Sequence, residues 1–136
     1  QRGFLEERLI HRTFRGEMVS SKNELIIANI LYDLEKQGHL KYQVEPRLPF
    51  DDARGRWADF IIEAKGTSWY WEHCGMLDDE SYRKRWQRKL ALYTANGYSI
   101  YSDENPNGRL VVTEDRPEQG VDSPAIAELA RKLFAS

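Results

Sequence analysis

Cysteine is nearly absent: the 136-residue chain carries one, Cys74. A single thiol cannot close an internal disulfide, which fits a reducing compartment such as the cytoplasm. Histidine is scarce too, with His11, His39 and His73 far apart. A structural zinc site asks for about four Cys, His, Asp or Glu ligands at suitable spacing, and one Cys with three scattered His argues against it. No apolar run nears the about 18 residues of a membrane span. No basic stretch leads into an apolar one as in a signal peptide. Neither charge dominates, since 20 Lys and Arg against 22 Asp and Glu leave a net charge of -2. The chain as a whole is therefore no polycation, and any contact with nucleic acid needs a local basic patch.

With 40% hydrophobic and 31% charged residues, the composition suits one globular domain. A domain of this size buries roughly two-thirds of its unfolded surface. The chain starts at Gln1 rather than Met, as expected of a domain cut from a longer chain. Residues 1–19 are amphipathic and charged, and predict a lead-in segment with a short helix. Residues 20–136 form the expected domain.

In SKNELIIANILYDLEKQ (21–37), Ile27, Ile30, Leu31 and Leu34 recur on one helical face. Ser21 with Glu24 three residues on fits a capping box, and Gly38 a C-terminal stop. Leu40, Tyr42 and Val44 alternate as in a strand over 40–45. A loop over 51–55 then leads to strands at 57–63 (WADFIIE) and 68–73 (SWYWEH). Their short links predict an antiparallel meander. A second helix spans 79–95, capped by Asp78 or Asp79 and closed by Asn96-Gly97. Extended stretches at 98–101 and 109–113 follow, and Ser123-Pro124 opens a last helix to about Phe134. The order α-β-β-β-α-β-β-α predicts an α/β (α+β) fold: a mixed sheet with helices against it.

Several residues stand out chemically. Asp59 sits in an otherwise apolar strand, and Glu72 ends Trp69-Tyr70-Trp71. A carboxylate among such neighbours costs desolvation unless a cation compensates. Paired strands would bring the two acids to one sheet edge, a pocket for a hard cation such as Mg²⁺. On the second helix Tyr82, Trp86, Lys89 and Tyr93 share one stripe, which makes Lys89 the polar member of a sheet-facing aromatic side. Glu24 lies beside the core stripe of its helix and reads either as a cap or as part of a site. Glu63 and Lys65 belong to a hairpin turn, because Asp59 and Glu63 lie about 13 Å apart on one extended strand. Cys74 and His73 are strand neighbours and point to opposite faces, so they do not make a thiol–imidazole pair.

Together, SSKNELIIANILYDL, WADFII, YWEHCGMLDDESYRKRWQRKLALYTANGY and LVVTED…GVDSPAI resemble the PD-(D/E)XK nuclease superfamily. The likeness is narrower to the nuclease-like domains appended to UvrD/RecB-type helicases. It implies a restriction-endonuclease-like core, α-β-β-β-α-β, with an extra C-terminal strand and helix. It also implies that Glu24 is the acid of the first helix, Asp59 the Asp of the PD step (with Ala58 in place of Pro), and Glu72 the acid of the third strand. The lysine two positions after that acid is replaced by Cys74. Lys89, with Tyr93 four residues on, stands where related branches carry a displaced signature.

The expected function is a Mg²⁺- or Mn²⁺-dependent nuclease acting on nucleic acid, most simply DNA, within a larger DNA-processing protein such as a helicase. Asp59, Glu72 and the His73 carbonyl would hold the ion, Lys89 would act at the phosphate, and Glu24 would shape the surroundings. Arg83, Lys84, Arg85 and Arg88 would form the basic patch. The alternative is a nuclease fold that binds nucleic acid without cutting it.

Overall fold

Alternating large side chains on three consecutive strands determine the architecture. The computed structural model of the chain describes residues 11–50, 55–116 and 120–136. Strands β3 (Lys41–Val44), β4 (Phe60–Ala64) and β5 (Thr67–Cys74) form an antiparallel meander. Strand β6 (Leu110–Glu114) adds to β5 in parallel, so the sheet order is β3-β4-β5-β6. The β4–β5 link is a two-residue turn in which Lys65 and Gly66 have φ of 55° and 76°. A two-residue hairpin turn of type I′ needs positive φ at both positions.

Helix α1 (Lys22–Lys36) and helix α3 (Ser123–Phe134) cover one face of the sheet. Trp69 and Trp71 of β5 point into that layer, where they meet Ile27, Leu31 and Phe134. Tyr70 points the other way, into a smaller cluster with Tyr93 of helix α2 (Glu80–Ala95). The three layers thus follow from the period-two alternation of β5. The parallel β5–β6 pair needs a crossover, and α2 lies on it.

Ser21 caps α1 by accepting the N–H of Glu24, and Asp79 caps α2 by accepting that of Tyr82. Such caps each contribute about 1 kcal/mol. The cap of α3 is Asp122, one residue before the expected Ser123.

Three expectations are corrected or limited. Residues 11–19 are not helical: strands β1 (His11–Arg12) and β2 (Met18–Val19) form a hairpin. Its turn residue Arg15 is drawn to Glu35 at 3.0 Å and stacks 3.8 Å from the Tyr42 ring. Residues 98–101 are no strand either, and make a single bridge from Ile100 to Leu110. The chain turns back at once through Asn105, whose side chain donates to the Ile100 carbonyl at 2.8 Å. Residues 1–10 and most of the expected 51–55 loop, 51–54, lie outside the described residues. Among the described residues no helix is long and apolar enough to cross a membrane.

Candidate functional site

The site begins where two strands part. Pairing of β4 with β5 ends at Phe60 and Trp71. One residue further, Asp59 no longer offers backbone to β5, and its Oδ2 instead accepts the His73 N–H at 2.7 Å. The acid is thereby fixed at the fork. On β5, Glu72 points toward α2 and His73 toward the opposite layer, as the alternation requires.

Glu72 is 4% exposed and takes two donors from one helical stripe. Lys89 Nζ lies 3.0 Å from Oε1 and 2.9 Å from Oε2. The Tyr93 hydroxyl donates to Oε2 at 2.5 Å. The one-turn spacing of Lys89 and Tyr93 lets both reach the same carboxylate. Asp59, Glu72 and Lys89 line one cavity of about 360 Å³, with Trp57 and Trp86 beside them.

Asp59 also lines an adjoining cavity with Glu24, Asn23 and Asp115. Glu24 is buried and its Oε1 accepts the hydroxyls of Ser20 at 2.7 Å and Ser21 at 3.2 Å. Its backbone N–H completes the cap on Ser21. Both readings of Glu24 therefore meet in one residue, which closes the helix end and faces the cleft.

Burial and like charges dominate the electrostatics. Burial first, then the charge of Glu72, push Asp59 up to about 7, against the pull of Lys89 and the His73 N–H. Burial first, then Asp59 and Glu45, push Glu24 up to about 9. Burial works to lower the Lys89 ammonium, but Glu72 and Asp59 outweigh it and hold it above the usual lysine range. The Tyr93 phenol is raised by burial and by Glu72. Burial and the two acids raise the Cys74 thiol to about 12. Cys74 is thus a neutral, buried group that supplies no nucleophile.

The basic residues of α2 divide. Arg85 reaches the cleft rim and lies 5.9 Å from the Tyr82 ring. Arg83 donates to the Leu77 carbonyl, and Lys84 pairs with Glu80 at 3.5 Å. Arg88 is exposed on the same helix. The face is cationic, and only Arg85 of the four lines the cavity.

The sequence reading overlooked the support behind His73. Its Nδ1 meets Thr113 Oγ1 at 2.8 Å and its Nε2 meets Asp115 Oδ1 at 2.7 Å. Asn23 of α1 donates to the same Asp115 oxygen at 3.2 Å. It also overlooked Glu45, whose Oε2 accepts from Ser20 at 3.0 Å beside Glu24. Thr113 and Asp115 alternate at the end of β6, which is the signal that both face one layer.

For a divalent ion, Asp59 and Glu72 offer hard oxygen donors. Among the described residues no three metal-ligating side chains stand together. Two carboxylates and a carbonyl still fit Mg²⁺, which keeps several waters and takes substrate oxygens. The mutual repulsion of the acids is what such an ion relieves.

No protein-family model matches the chain. It is similar to an uncharacterized protein of Methanocaldococcus jannaschii, 34% identical over 118 residues. The match takes in 79% of this chain and 9% of that protein, so the chain spans about a tenth of its relative.

Proposed function

We propose that this domain is a Mg²⁺- or Mn²⁺-dependent nuclease with a restriction-endonuclease-like core. Its substrate is nucleic acid, with DNA the expected form, and it works in the cytoplasm within a longer DNA-processing protein. The supporting observation is the meeting of Asp59, Glu72 and Lys89 in one cavity at the β4–β5 fork.

Asp59, Glu72 and the His73 carbonyl would hold the ion. When bound, it would supply a more acidic water and neutralise charge developing on the scissile phosphate. Lys89 donates N–H bonds toward a phosphate oxygen or the attacking water, where charge develops. Tyr93 holds the Glu72 carboxylate in place. Glu24 borders the cleft, where burial and the nearby acids raise its carboxyl, and a nearby cation would pull it back down. Arg85 at the rim, with Arg83, Lys84 and Arg88, attracts the phosphate backbone without reading sequence.

The competing proposal is the same fold retained for binding alone, its chemistry lost with the lysine that Cys74 replaces. The test uses labelled single- and double-stranded DNA with Mg²⁺, Mn²⁺ or EDTA, beside Asp59→Ala and Lys89→Ala. Metal-dependent cleavage that Asp59→Ala abolishes is the expected result. Undiminished cleavage by Asp59→Ala would remove the site assignment. DNA binding without cleavage in any metal would favour the inert module.

A further inference from the structure

The two acids of the cleft are held differently. Asp59 and Glu72 face one cavity that Arg56 and Arg85 also line, and the ammonium of Lys89 is drawn to both acids. That ammonium contacts both oxygens of Glu72 at 3.0 and 2.9 Å, while Tyr93 donates to Oε2 from within the core. Glu72 thus already has its cation. Asp59 accepts the His73 N–H at 2.7 Å. A divalent ion held by both acids would have to share Glu72 with the ammonium, a repulsive arrangement in a partly dry site.

Mobility separates the two donors. The Tyr93 side chain is 0% exposed and is packed against Phe50 and Tyr70. The Lys89 side chain is 19% exposed and ends a flexible four-carbon stem. Only Lys89 can leave without disturbing the core.

We propose that Lys89 is the resident counter-ion of Glu72, and that a divalent cation loads by displacing its ammonium from that carboxylate. This rests on the metal site proposed above. Displacement turns the ammonium toward the open side of the cavity, where a substrate phosphate would arrive. Cation loading and phosphate capture are then one movement of one side chain. Arginine in place of Lys89 would keep the competing charge, and methionine would keep the stem but remove it.

The test is Mn²⁺ binding, followed by the paramagnetic resonance of free Mn²⁺, in the intact chain and in Lys89→Met and Lys89→Arg. Lys89→Met should bind Mn²⁺ about tenfold tighter or more, because the competing charge is gone. Its melting temperature should fall in EDTA and recover with Mn²⁺, and Lys89→Arg should gain no affinity. Equal or weaker Mn²⁺ binding by Lys89→Met would overturn the proposal. Should that variant fail to fold, the unmutated chain decides. Saturating Mg²⁺ should move the Lys89 side-chain NMR signals toward those of a solvated lysine, and unmoved signals would overturn it.

Binding and cleavage are read separately. A chain that cuts DNA while Lys89→Met gains no Mn²⁺ affinity keeps the nuclease and loses the counter-ion. A chain that cuts nothing while Lys89→Met gains affinity loses the nuclease and keeps the counter-ion.

Discussion

Replacing Asp59 with Asn should stabilise the metal-free protein at alkaline pH, and the gain should vanish in acid. Burial, then Glu72, raise the Asp59 carboxyl from 3.8 to about 7. In the unfolded chain it ionises near its ordinary value. Between those two pH values the folded state holds a proton that the unfolded state has lost. Stability therefore falls as pH rises through this window, and the penalty is constant above it. A shift of about three units corresponds to about 4 kcal/mol. Relaxation and water entry around the ionised acid reduce that, so about 2 kcal/mol is the expected penalty. Asn matches Asp in shape, and its oxygen can keep the His73 N–H at 2.7 Å. It sets no charge against Glu72. In a domain of this size the gain is about 8 °C in melting temperature. Urea melts in EDTA at pH 8 and pH 4 measure it. An Asp59→Asn protein no more stable than wild type at pH 8 would refute the reasoning. So would a difference of equal size at both pH values.

Two further outcomes follow from packing. A Cβ at Gly108 would stand 2.6 Å from the carbonyl carbon and oxygen of Ile100 and the nitrogen of Tyr101. All three are backbone atoms, so Gly108→Ala should cost about 2 kcal/mol in urea melts, and an unchanged midpoint would show the 100–110 turn to be loosely held. Cys74 is 2% exposed with its thiol raised to about 12. It should resist a disulfide reagent at pH 8 until urea unfolds the chain, and rapid reaction of the native protein would contradict its burial.

The core elements were legible because each has a local period. Ile27, Leu31 and Leu34 mark α1 at helical spacing, and all three are buried. The stripe of Tyr82, Trp86, Lys89 and Tyr93 was equally local, which is why the Lys89–Glu72 pair could be anticipated. The hairpin at 11–19 was not legible, since its charged, amphipathic pattern suits a helix as well. What decides it is Arg15 reaching Glu35, twenty residues on. The stretch 98–101 reads as extended, but among the described residues its strand-like pairing is the one bridge from Ile100 to Leu110, so it makes no strand. Asp115 and Glu45 were missed for a related reason. Their partners, His73 and Ser20, come from distant segments, and no spacing in the chain announces them.

Tyr93 ties the stability of the smaller core cluster to the geometry of the cleft. It packs on Phe50, Tyr70 and Tyr98 at ring distances of 5.8, 5.4 and 6.3 Å, and its hydroxyl ends on Glu72. Such a group resists displacement because moving the hydroxyl means repacking four rings. Asp59 is held just as firmly, by the backbone of His73, which Thr113 and Asp115 fix from the far layer. The two acids are therefore anchored from opposite sides of the sheet. Their repulsion cannot be relieved by moving apart, so a proton on Asp59 or a cation relieves it. Lys89 is the mobile one among the groups that do so, which is why the electrostatic strain of the site converges on that side chain.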